Sequence, residues 1–111
     1  MEKQKDKKDF FLRVLELVKK IPYGYVTTYG SIAQCLGLKS SARMVGWALN
    51  SAAADYSIPC HRVVNRNGEL TGKQYFATPE MMRELLESEG ITFKGDQVNM
   101  QSHFTDAALF L

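Results

Sequence analysis

Residues 27–50 read TTYGSIAQCLGLKSSARMVGWALN, and this stretch decides the fold because it holds two short helical patterns separated by a turn. Thr27 or Thr28 is a suitable N-cap for the first helix, since a threonine hydroxyl can accept a free backbone N–H at a helix start. Gly37 can end that helix in the left-handed conformation that glycine adopts without strain. Two short helices joined by a tight turn predict the outline of a helix-turn-helix, which many small helical domains also contain.

The second of these helices begins at Ser40 or Ser41 and runs through Asn50. Its small residues Ala42 and Gly46 lie four positions apart, so they share one face of the helix. A face without large side chains can come close to another backbone. The pattern leaves two partners open: a second helix packed against this face, or a DNA duplex docked on it.

A longer amphipathic helix precedes this pair. From Asp9 onward, apolar residues recur at spacings of three and four, which is the helical period, and the stripe is expected to face the core. The residues of the stripe are Phe10, Val14, Leu17, Val18 and Ile21. Pro22 and Gly24 end this helix. Residues 1–8 are polar and predict a disordered basic tail, so the predicted domain covers residues 9–111.

Turn-forming residues follow at 65–68, where Asn-Arg-Asn-Gly can reverse the chain. Residues 69–73 can then form a return strand, and a basic hairpin after two short helices has the shape of a wing. Thr78 as cap and Pro79 at the first position predict a further helix, which Gly90 ends. The predicted fold is therefore mainly α: a small winged helix-turn-helix domain, similar to a three-helix bundle, with a short β-hairpin wing.

The composition is that of a small globular protein. The chain has 111 residues, of which 45% are hydrophobic and 23% charged, so we expect one compact domain and exclude wholesale disorder. No apolar run approaches the roughly 18 residues that a membrane span requires, and the charged start lacks the apolar stretch of a signal peptide. Two cysteines, Cys35 and Cys60, cannot form a dense disulfide framework, so a reducing cytoplasm is the expected location.

The formal net charge of +2 hides an uneven distribution along the chain. Residues 19–73 carry seven basic and two acidic side chains, a net charge of +5. Residues 74–111 carry two basic and six acidic side chains, a net charge of −4. A polyanion would be attracted to the middle of the chain and repelled by its end. The alternative is a chance segregation of solvated surface charge.

The adjacent residues Cys60 and His61 suggest chemistry. A thiol with a pKa near the ordinary value of about 8.5 is mostly protonated at neutral pH, whereas the thiolate is the nucleophile. A neighbouring imidazole can remove that proton, directly or through a water, and an acid can orient the imidazole. A buried structural cysteine beside an exposed histidine is the alternative.

A metal site is not expected from the sequence. The possible ligands lack the two closely spaced pairs on which a tetrahedral zinc site normally draws. These possible ligands are Cys35, Cys60, His61 and His103.

Four blocks of the sequence closely resemble the O6-alkylguanine-DNA alkyltransferase family. Residues 58–64, IPCHRVV, contain the Pro-Cys-His-Arg-Val signature of that family. Residues 21–29, IPYGYVTTY, resemble its segment entering the helix-turn-helix, and residues 42–46, ARMVG, resemble its recognition helix. Residues 85–90, LLESEG, resemble its Leu-Leu-x-x-Glu-Gly block. The blocks occur in the family's order and with compatible spacing, and together they are highly specific.

The resemblance implies direct repair of DNA, in which an alkyl group moves once and irreversibly from guanine to a cysteine of the protein, without a cofactor. Cys60 would be the acceptor thiolate, His61 the water-linked base and Glu89 the carboxylate that orients it. The implied partner is double-stranded DNA containing O6-alkylguanine, and we expect a monomer with no membrane association.

The resemblance also implies how the damaged base is reached, because an atom on a paired base is inaccessible until the base leaves the stack. Tyr29 would press on the phosphate, help to rotate the base out and hydrogen-bond the leaving guanine, while Arg43 would fill the vacated space. Ala42 and Gly46 would allow the recognition helix to enter the minor groove. The predicted DNA contacts are Tyr29, Ala42, Arg43, Gly46, Arg62 and Lys73.

The chain departs from the family pattern at two places near the cysteine. Ala52 stands where the family has an asparagine that braces the active-site turn, although Asn50 lies two residues earlier. Residues 69–75, ELTGKQY, differ from the family's Gly- and Tyr-rich loop, for which Tyr75 or Lys73 could substitute.

Three functions remain open on the sequence. The first is a single-turnover alkyltransferase. The second is a sensor similar to the alkyltransferase-like proteins, which bind and flip O6-alkylguanine for other repair proteins; those proteins replace the acceptor cysteine, commonly with Trp or Ala, whereas this chain keeps Cys60. The third is a regulator that reads a defined operator, for which Ala42 and Gly46 offer few base-reading groups.

Overall fold

The computed structural model describes residues 2–37 and 42–110, with side chains from Asp9 onward in those ranges. The described chain is mainly helical, as predicted, and it also carries two small sheets. Its helices are α1 (Glu2–Val18), α2 (Tyr29–Cys35), α3 (Ala42–Ala52), α4 (Met81–Ser88) and α5 (Met100–His103). Its strands are β1 (Thr27–Thr28), β2 (Val63–Val64), β3 (Phe93–Lys94) and β4 (Gln97–Val98). Short 3₁₀ turns cover Cys60–Arg62, Lys73–Tyr75 and Ala107–Leu109.

The first helix ends at Val18, earlier than predicted, and together with the turn that follows it buries the predicted stripe. Every residue of that stripe is at most 6% exposed, and the stripe packs with α2 and α3 in the larger of two core clusters. The helix begins at Glu2 rather than Asp9, so residues 2–8 continue the helix where a disordered tail was expected. Lysine, glutamate and glutamine dominate those residues and have high helix propensity, which explains the longer helix.

The two short helices α2 and α3 lie close to their predicted limits. Thr28 caps α2, since its Oγ1 accepts the backbone N–H of Ser31 at 3.0 Å. Gly37 has a φ of +72°, the left-handed conformation expected after this helix. The predicted starts of the next helix, Ser40 or Ser41, lie outside the described residues. The helix α3 itself extends to Ala52, two residues beyond the predicted end.

The predicted wing is wrong. Val63 and Val64 pair in parallel with β1, with Thr27 opposite Val63, so residues 69–73 do not return along them. The turn at 65–68 does form, but after it Glu69 bridges to Gln97 instead. The antiparallel hairpin of this fold is β3–β4, in a part of the sequence without a clear pattern. The physical reason is that Val63 and Val64 are fully buried and pair with β1, whose Thr27 is also fully buried, whereas a polar return strand would be exposed.

The fourth helix closes the smaller core cluster. It begins at Met81, so Thr78 is not its cap; the Thr78 carbonyl accepts the Met81 N–H at 3.2 Å in a turn that precedes the helix. Gly90, at a φ of +85°, ends the helix as predicted. The smaller cluster contains Val26, Val64, Met82, Leu86, Ile91 and Val98.

Hydrogen bonds hold the C-terminal segment against α2 and the residue before β1. Thr105 donates its N–H to the Val26 carbonyl at 2.8 Å, and the Ala107 N–H donates to Ser31 Oγ at 2.8 Å. Ala107 is fully buried in the larger cluster. Among the described residues, no helix is long and apolar enough to cross a membrane.

Candidate active site

Cys60 lies in the interior, at the start of a 3₁₀ turn that follows Pro59. The residue is 6% exposed, and its Sγ lies 3.9 Å from the Leu49 carbonyl oxygen of α3. Burial, followed by the nearby Asp55 carboxylate, raises the pKa of the Cys60 thiol to about 11. The thiol is therefore protonated at neutral pH, and nucleophilic chemistry at this sulfur requires a base.

Tyr29 is held beside Cys60 by the parallel pairing of β1 and β2. Tyr29 is the first residue of α2, directly after β1, while Cys60 stands three residues before β2. A Cβ on Gly46 would lie 4.0 Å from the Tyr29 ring, and a Cβ on Gly72 would lie 3.1 Å from its hydroxyl. Gly72 therefore leaves space for the phenol hydroxyl, whereas a side chain at Gly46 would make only ordinary van der Waals contact with the ring.

The Tyr29 phenol is protonated at neutral pH. Burial raises its pKa, and this effect outweighs a 3.5 Å hydrogen bond from Thr71 Oγ1, which lowers it. The ionised forms of the neighbouring Cys60 and Tyr75 would repel a phenolate at Tyr29 and so raise its pKa further. The phenol can thus act as a hydrogen-bond donor at the edge of the cysteine cavity.

His61, the residue after Cys60, makes a short polar contact with Glu89. His61 Nε2 lies 2.6 Å from Glu89 Oε2, and both side chains are largely buried. Burial lowers the pKa of His61, and this outweighs the hydrogen bond and charge of Glu89, which raise it. A neutral imidazole must donate from Nε2 to a carboxylate, which only accepts. Nδ1 of His61 then carries the free lone pair of a base.

Glu89 is the centre of a wider network. Its Oε1 accepts the Gly24 N–H at 2.9 Å and Arg62 Nε at 2.9 Å. Arg62 Nη2 also reaches Oε2 at 2.9 Å, and Arg62 Nη1 donates to the Ile21 carbonyl at 2.9 Å. Burial raises the pKa of Glu89, but the bonds from Arg62, Gly24 and His61 outweigh it, so the net pKa is lowered. Glu89 is therefore ionised and fixed in place.

Two predicted DNA contacts lie elsewhere. Arg62 turns inward to Glu89, with a side chain only 15% exposed, because a buried carboxylate needs a cationic partner. Lys73 lines a separate cavity of about 640 Å³ that the acidic side chains of α4 also line. Neither side chain lines the surface on which the other predicted contacts converge.

A groove between α3 and residues 71–75 brings the remaining predicted contacts together. Its volume is about 270 Å³. Tyr29, Ala42, Arg43 and Gly46 all line it, as the sequence predicts for a common surface. Trp47, Asn50, Thr71, Gly72 and Tyr75 complete the lining.

The cysteine opens on a second, much smaller cavity of about 10 Å³. Tyr29, Asn50, Gly72 and Tyr75 line both this cavity and the groove, so the two are neighbours. Asn50, two positions before Ala52, and Tyr75, which could substitute in the altered loop, are thus both at the site. No three His, Cys, Asp or Glu side chains of the described residues are grouped to hold a metal ion.

Two contributors were missed by the sequence reading. The Gly24 N–H bonds Glu89, and the only signal for it is the turn-forming Pro22-Tyr23-Gly24. Trp47 is 48% exposed in the groove, and the signal for it is a single tryptophan one turn after Arg43 on a helix.

Comparison with known proteins decides the family. The family model of the 6-O-methylguanine DNA methyltransferase, DNA binding domain, matches residues 9–91. The chain belongs to this methyltransferase family. The match includes Tyr29, the groove-lining part of α3, Cys60, His61 and Glu89, so all these residues lie within the family domain.

Several members of the family are similar over much of the chain. Alkyltransferase-like protein 1 of Schizosaccharomyces pombe is 37% identical over 83 residues, which are 75% of this chain and 77% of that protein. The DNA base-flipping protein of Escherichia coli is 39% identical over 106 residues, 92% of this chain and 79% of that protein. A methylated-DNA–protein-cysteine methyltransferase of Metallosphaera sedula is 45% identical over 85 residues, 77% of this chain. The match spans 51% of that methyltransferase.

Solved structures of the family share the fold. S. pombe Atl1 in complex with damaged DNA containing O6-carboxymethylguanine matches 88% of this chain and 95% of its own, with a TM-score of 0.74 and 32% identity. Mycobacterium tuberculosis OGT in complex with DNA matches 93% of this chain and 56% of its own, with a TM-score of 0.65 and 36% identity.

Proposed function

We propose that this protein repairs O6-alkylguanine in duplex DNA by transferring the alkyl group to Cys60. One observation carries the proposal: the thiol opens on a cavity beside the groove, and the next residue, His61, is oriented by Glu89. The reaction consumes the protein, since the nucleophile is part of the chain. We expect it to act as a monomer in the cytoplasm, where both cysteines stay reduced.

The thiol is activated by His61 in this proposal. Nδ1 of the imidazole takes the Cys60 proton through a bridging water, because Nε2 is bound to Glu89. The imidazolium that results is stabilised by the ionised Glu89 carboxylate. The nearly closed surroundings of Cys60 keep bulk water from competing for the alkyl group.

Transfer forms one bond and breaks one. The Cys60 sulfur attacks the alkyl carbon, the S–C bond forms, and the bond between that carbon and O6 breaks with its electron pair left on guanine. The Tyr29 phenol, protonated at neutral pH, donates a hydrogen bond to the guanine as this charge develops. The guanine anion then takes up one proton from water, and His61 releases its proton to water, so that neutral guanine and a neutral imidazole remain.

The groove is the proposed DNA surface. Arg43 is exposed there and fills the space that the extruded nucleotide leaves, while Ala42 and Gly46 let α3 approach the minor groove as the recognition helix of a helix-turn-helix. Solved complexes of similar proteins with DNA support DNA binding by this domain. The cavity beside α4 shares Thr71 with this groove, but acidic side chains outnumber basic ones in its lining, so it would repel phosphate.

A damage sensor is the second candidate. Similarity to alkyltransferase-like protein 1 and to the DNA base-flipping protein, over more than three quarters of each, supports it. In this case the domain binds and extrudes the lesion but leaves the alkyl group for other repair proteins to remove. The raised pKa of Cys60, to about 11, also supports an unreactive thiol.

The fate of the alkyl group in the DNA distinguishes the two functions. A duplex with one O6-methylguanine is incubated with excess reduced protein, and its nucleosides are then analysed. An alkyltransferase converts the lesion to guanine, and the Cys60→Ser variant does not. A lesion that persists while the duplex is bound would establish the sensor instead.

A further inference from the structure

The two cavities at the site differ in what they can hold. The cavity at Cys60 measures about 10 Å³, which is the space of about one water molecule. The groove measures about 270 Å³, close to the lower end of the volumes that bind small molecules. A purine base that leaves the duplex can therefore fit in the groove, whereas the cavity beside the thiol is too small for it.

The groove offers aromatic surface to such a base. Trp47 and Tyr75 line it and are 48% and 52% exposed, although Trp47 belongs to a helix whose neighbours Val45, Ala48 and Leu49 are buried. Single exposed aromatic residues are common on protein surfaces. Here, however, two of them line one concave surface together with the exposed cation Arg43.

The chemistry of this lining suits an unpaired base. Indole and phenol rings stack on nucleobases without regard to sequence. Asn50 adds an amide, which both donates and accepts hydrogen bonds, as the edge of a purine does. Gly46 and Gly72 add no side chains that would fill the space.

We propose that the groove is a receiving site for the extruded O6-alkylguanine, where Trp47 stacks on the base before the base reaches Cys60. The inference rests on the base extrusion of the proposed function and does not depend on alkyl transfer. Passage from the groove to the sulfur then requires the cavity lined by Gly72 and Tyr75 to widen.

Tryptophan fluorescence reports on this site directly, because Trp47 is the only tryptophan of the sequence. Stacking on a nucleobase quenches indole fluorescence. We expect a duplex with one O6-methylguanine to quench Trp47 emission more strongly than the undamaged duplex. A duplex with an abasic site at the same position, which has no base to stack, gives no such extra quenching. Equal quenching by all three bound duplexes would overturn the proposal in favour of a contact with the DNA backbone.

Variants of Trp47 give an independent measure. Loss of one base–aromatic stack lowers affinity by about 5- to 150-fold, so Trp47→Ala is expected to weaken binding of the lesion duplex within that range. Trp47→Phe, which keeps a ring, recovers most of it, and Trp47→Ala weakens binding of the undamaged duplex less than binding of the lesion duplex. Tyr56→Ala is the matched control, since Tyr56 is also exposed but does not line the groove. Equal losses on both duplexes for Trp47→Ala would contradict the stacking role.

A fluorescent base placed beside the lesion separates this inference from the function on which it rests. The neighbouring base brightens when the lesion leaves the stack. Brightening with quenched Trp47 supports the receiving site. Brightening without lesion-specific quenching overturns the receiving site alone, whereas no brightening overturns base extrusion and the proposed function with it.

Discussion

His61 and Glu89, 28 positions apart in the chain, are joined by a contact of 2.6 Å between Nε2 and Oε2. This contact fixes the tautomer of the imidazole, since the carboxylate can only accept. It also directs the basic nitrogen of His61 away from Glu89. The Gly24 N–H and Arg62 hold the carboxylate in turn, so the base beside Cys60 is oriented by residues from three separate parts of the chain.

Glu89→Gln is expected to slow alkyl transfer by about 10²- to 10⁴-fold, the usual contribution of a positioned general base. The amide neither fixes the His61 tautomer nor stabilises the imidazolium. Single-turnover rates on a lesion duplex measure the effect. Glu87→Gln is the matched control, because Glu87 is exposed and pairs with Arg83 at the surface. An unchanged rate for Glu89→Gln, with the variant folded, would remove Glu89 from the mechanism.

Stability is expected to fall as the pH falls from 7 to 5. The pKa of His61 is lowered in the folded protein, so the unfolded chain takes up a proton first, near the ordinary histidine pKa of about 6.5. The stability that a neutral His61 contributes is complete above that pH and is lost as the pH falls toward the folded pKa. Glu89, whose pKa is also lowered, extends the loss below about pH 4.3, the ordinary glutamate pKa.

Urea unfolding at several pH values tests this dependence. The His61→Gln variant should lose less free energy of unfolding between pH 7 and pH 5 than the original protein does. Identical pH dependence in the two proteins would show that His61 is not the group responsible.

The two cysteines are expected to react with iodoacetamide in a fixed order. Cys35 is partly exposed, while Cys60 is buried and its pKa is raised to about 11, so Cys35 is modified first at pH 7.5. In a Cys35→Ser variant, the rate at Cys60 should rise about tenfold per pH unit below pH 11, as the thiolate fraction does. Peptide mass mapping follows both sites. Faster reaction of Cys60 in the free protein would contradict a buried, protonated thiol.

Local signals in the sequence were sufficient wherever one residue decides a local geometry. The Thr28 cap, the left-handed Gly37 and the end of α4 at Gly90 all follow from the chemistry of single residues. The apolar stripe of α1 also follows from its period alone. Residues 2–8 are helical rather than disordered because lysine and glutamate have high helix propensity.

Contacts between distant segments were not predictable in the same way. The pairing of Thr27 with Val63 involves strands of two residues, which leave no periodic pattern, and it displaced the expected wing. Arg62 carries a positive charge like any DNA contact, and only the fold brings Glu89 within its reach. The family resemblance indicated the roles of Cys60, His61 and Glu89. Trp47 was identified only from the structure, because it lines the groove.

Replacing Gly68 by alanine is expected to destabilise the fold more than replacing Gly95 by alanine. Both have positive φ, +82° and +61°, so alanine costs each about 1–2 kcal/mol in the backbone. A Cβ at Gly68 would also lie 2.6 Å from the Val98 carbonyl oxygen, whereas one at Gly95 meets none of the described atoms within 4 Å. Gly68→Ala should therefore lose about 1–3 kcal/mol more in urea unfolding than Gly95→Ala. Equal losses would show that the turn at 65–68 is not held against β4.

The mass of the intact protein tests the central claim most directly. The reduced protein is saturated with a duplex carrying one O6-methylguanine, and peptide mapping then locates any adduct. The account predicts a mass increase of one methyl group, confined to Cys60 and absent from the Cys60→Ser variant. An unmodified Cys60 in protein whose lesion duplex is fully bound would contradict alkyl transfer and leave the domain as a sensor of the lesion.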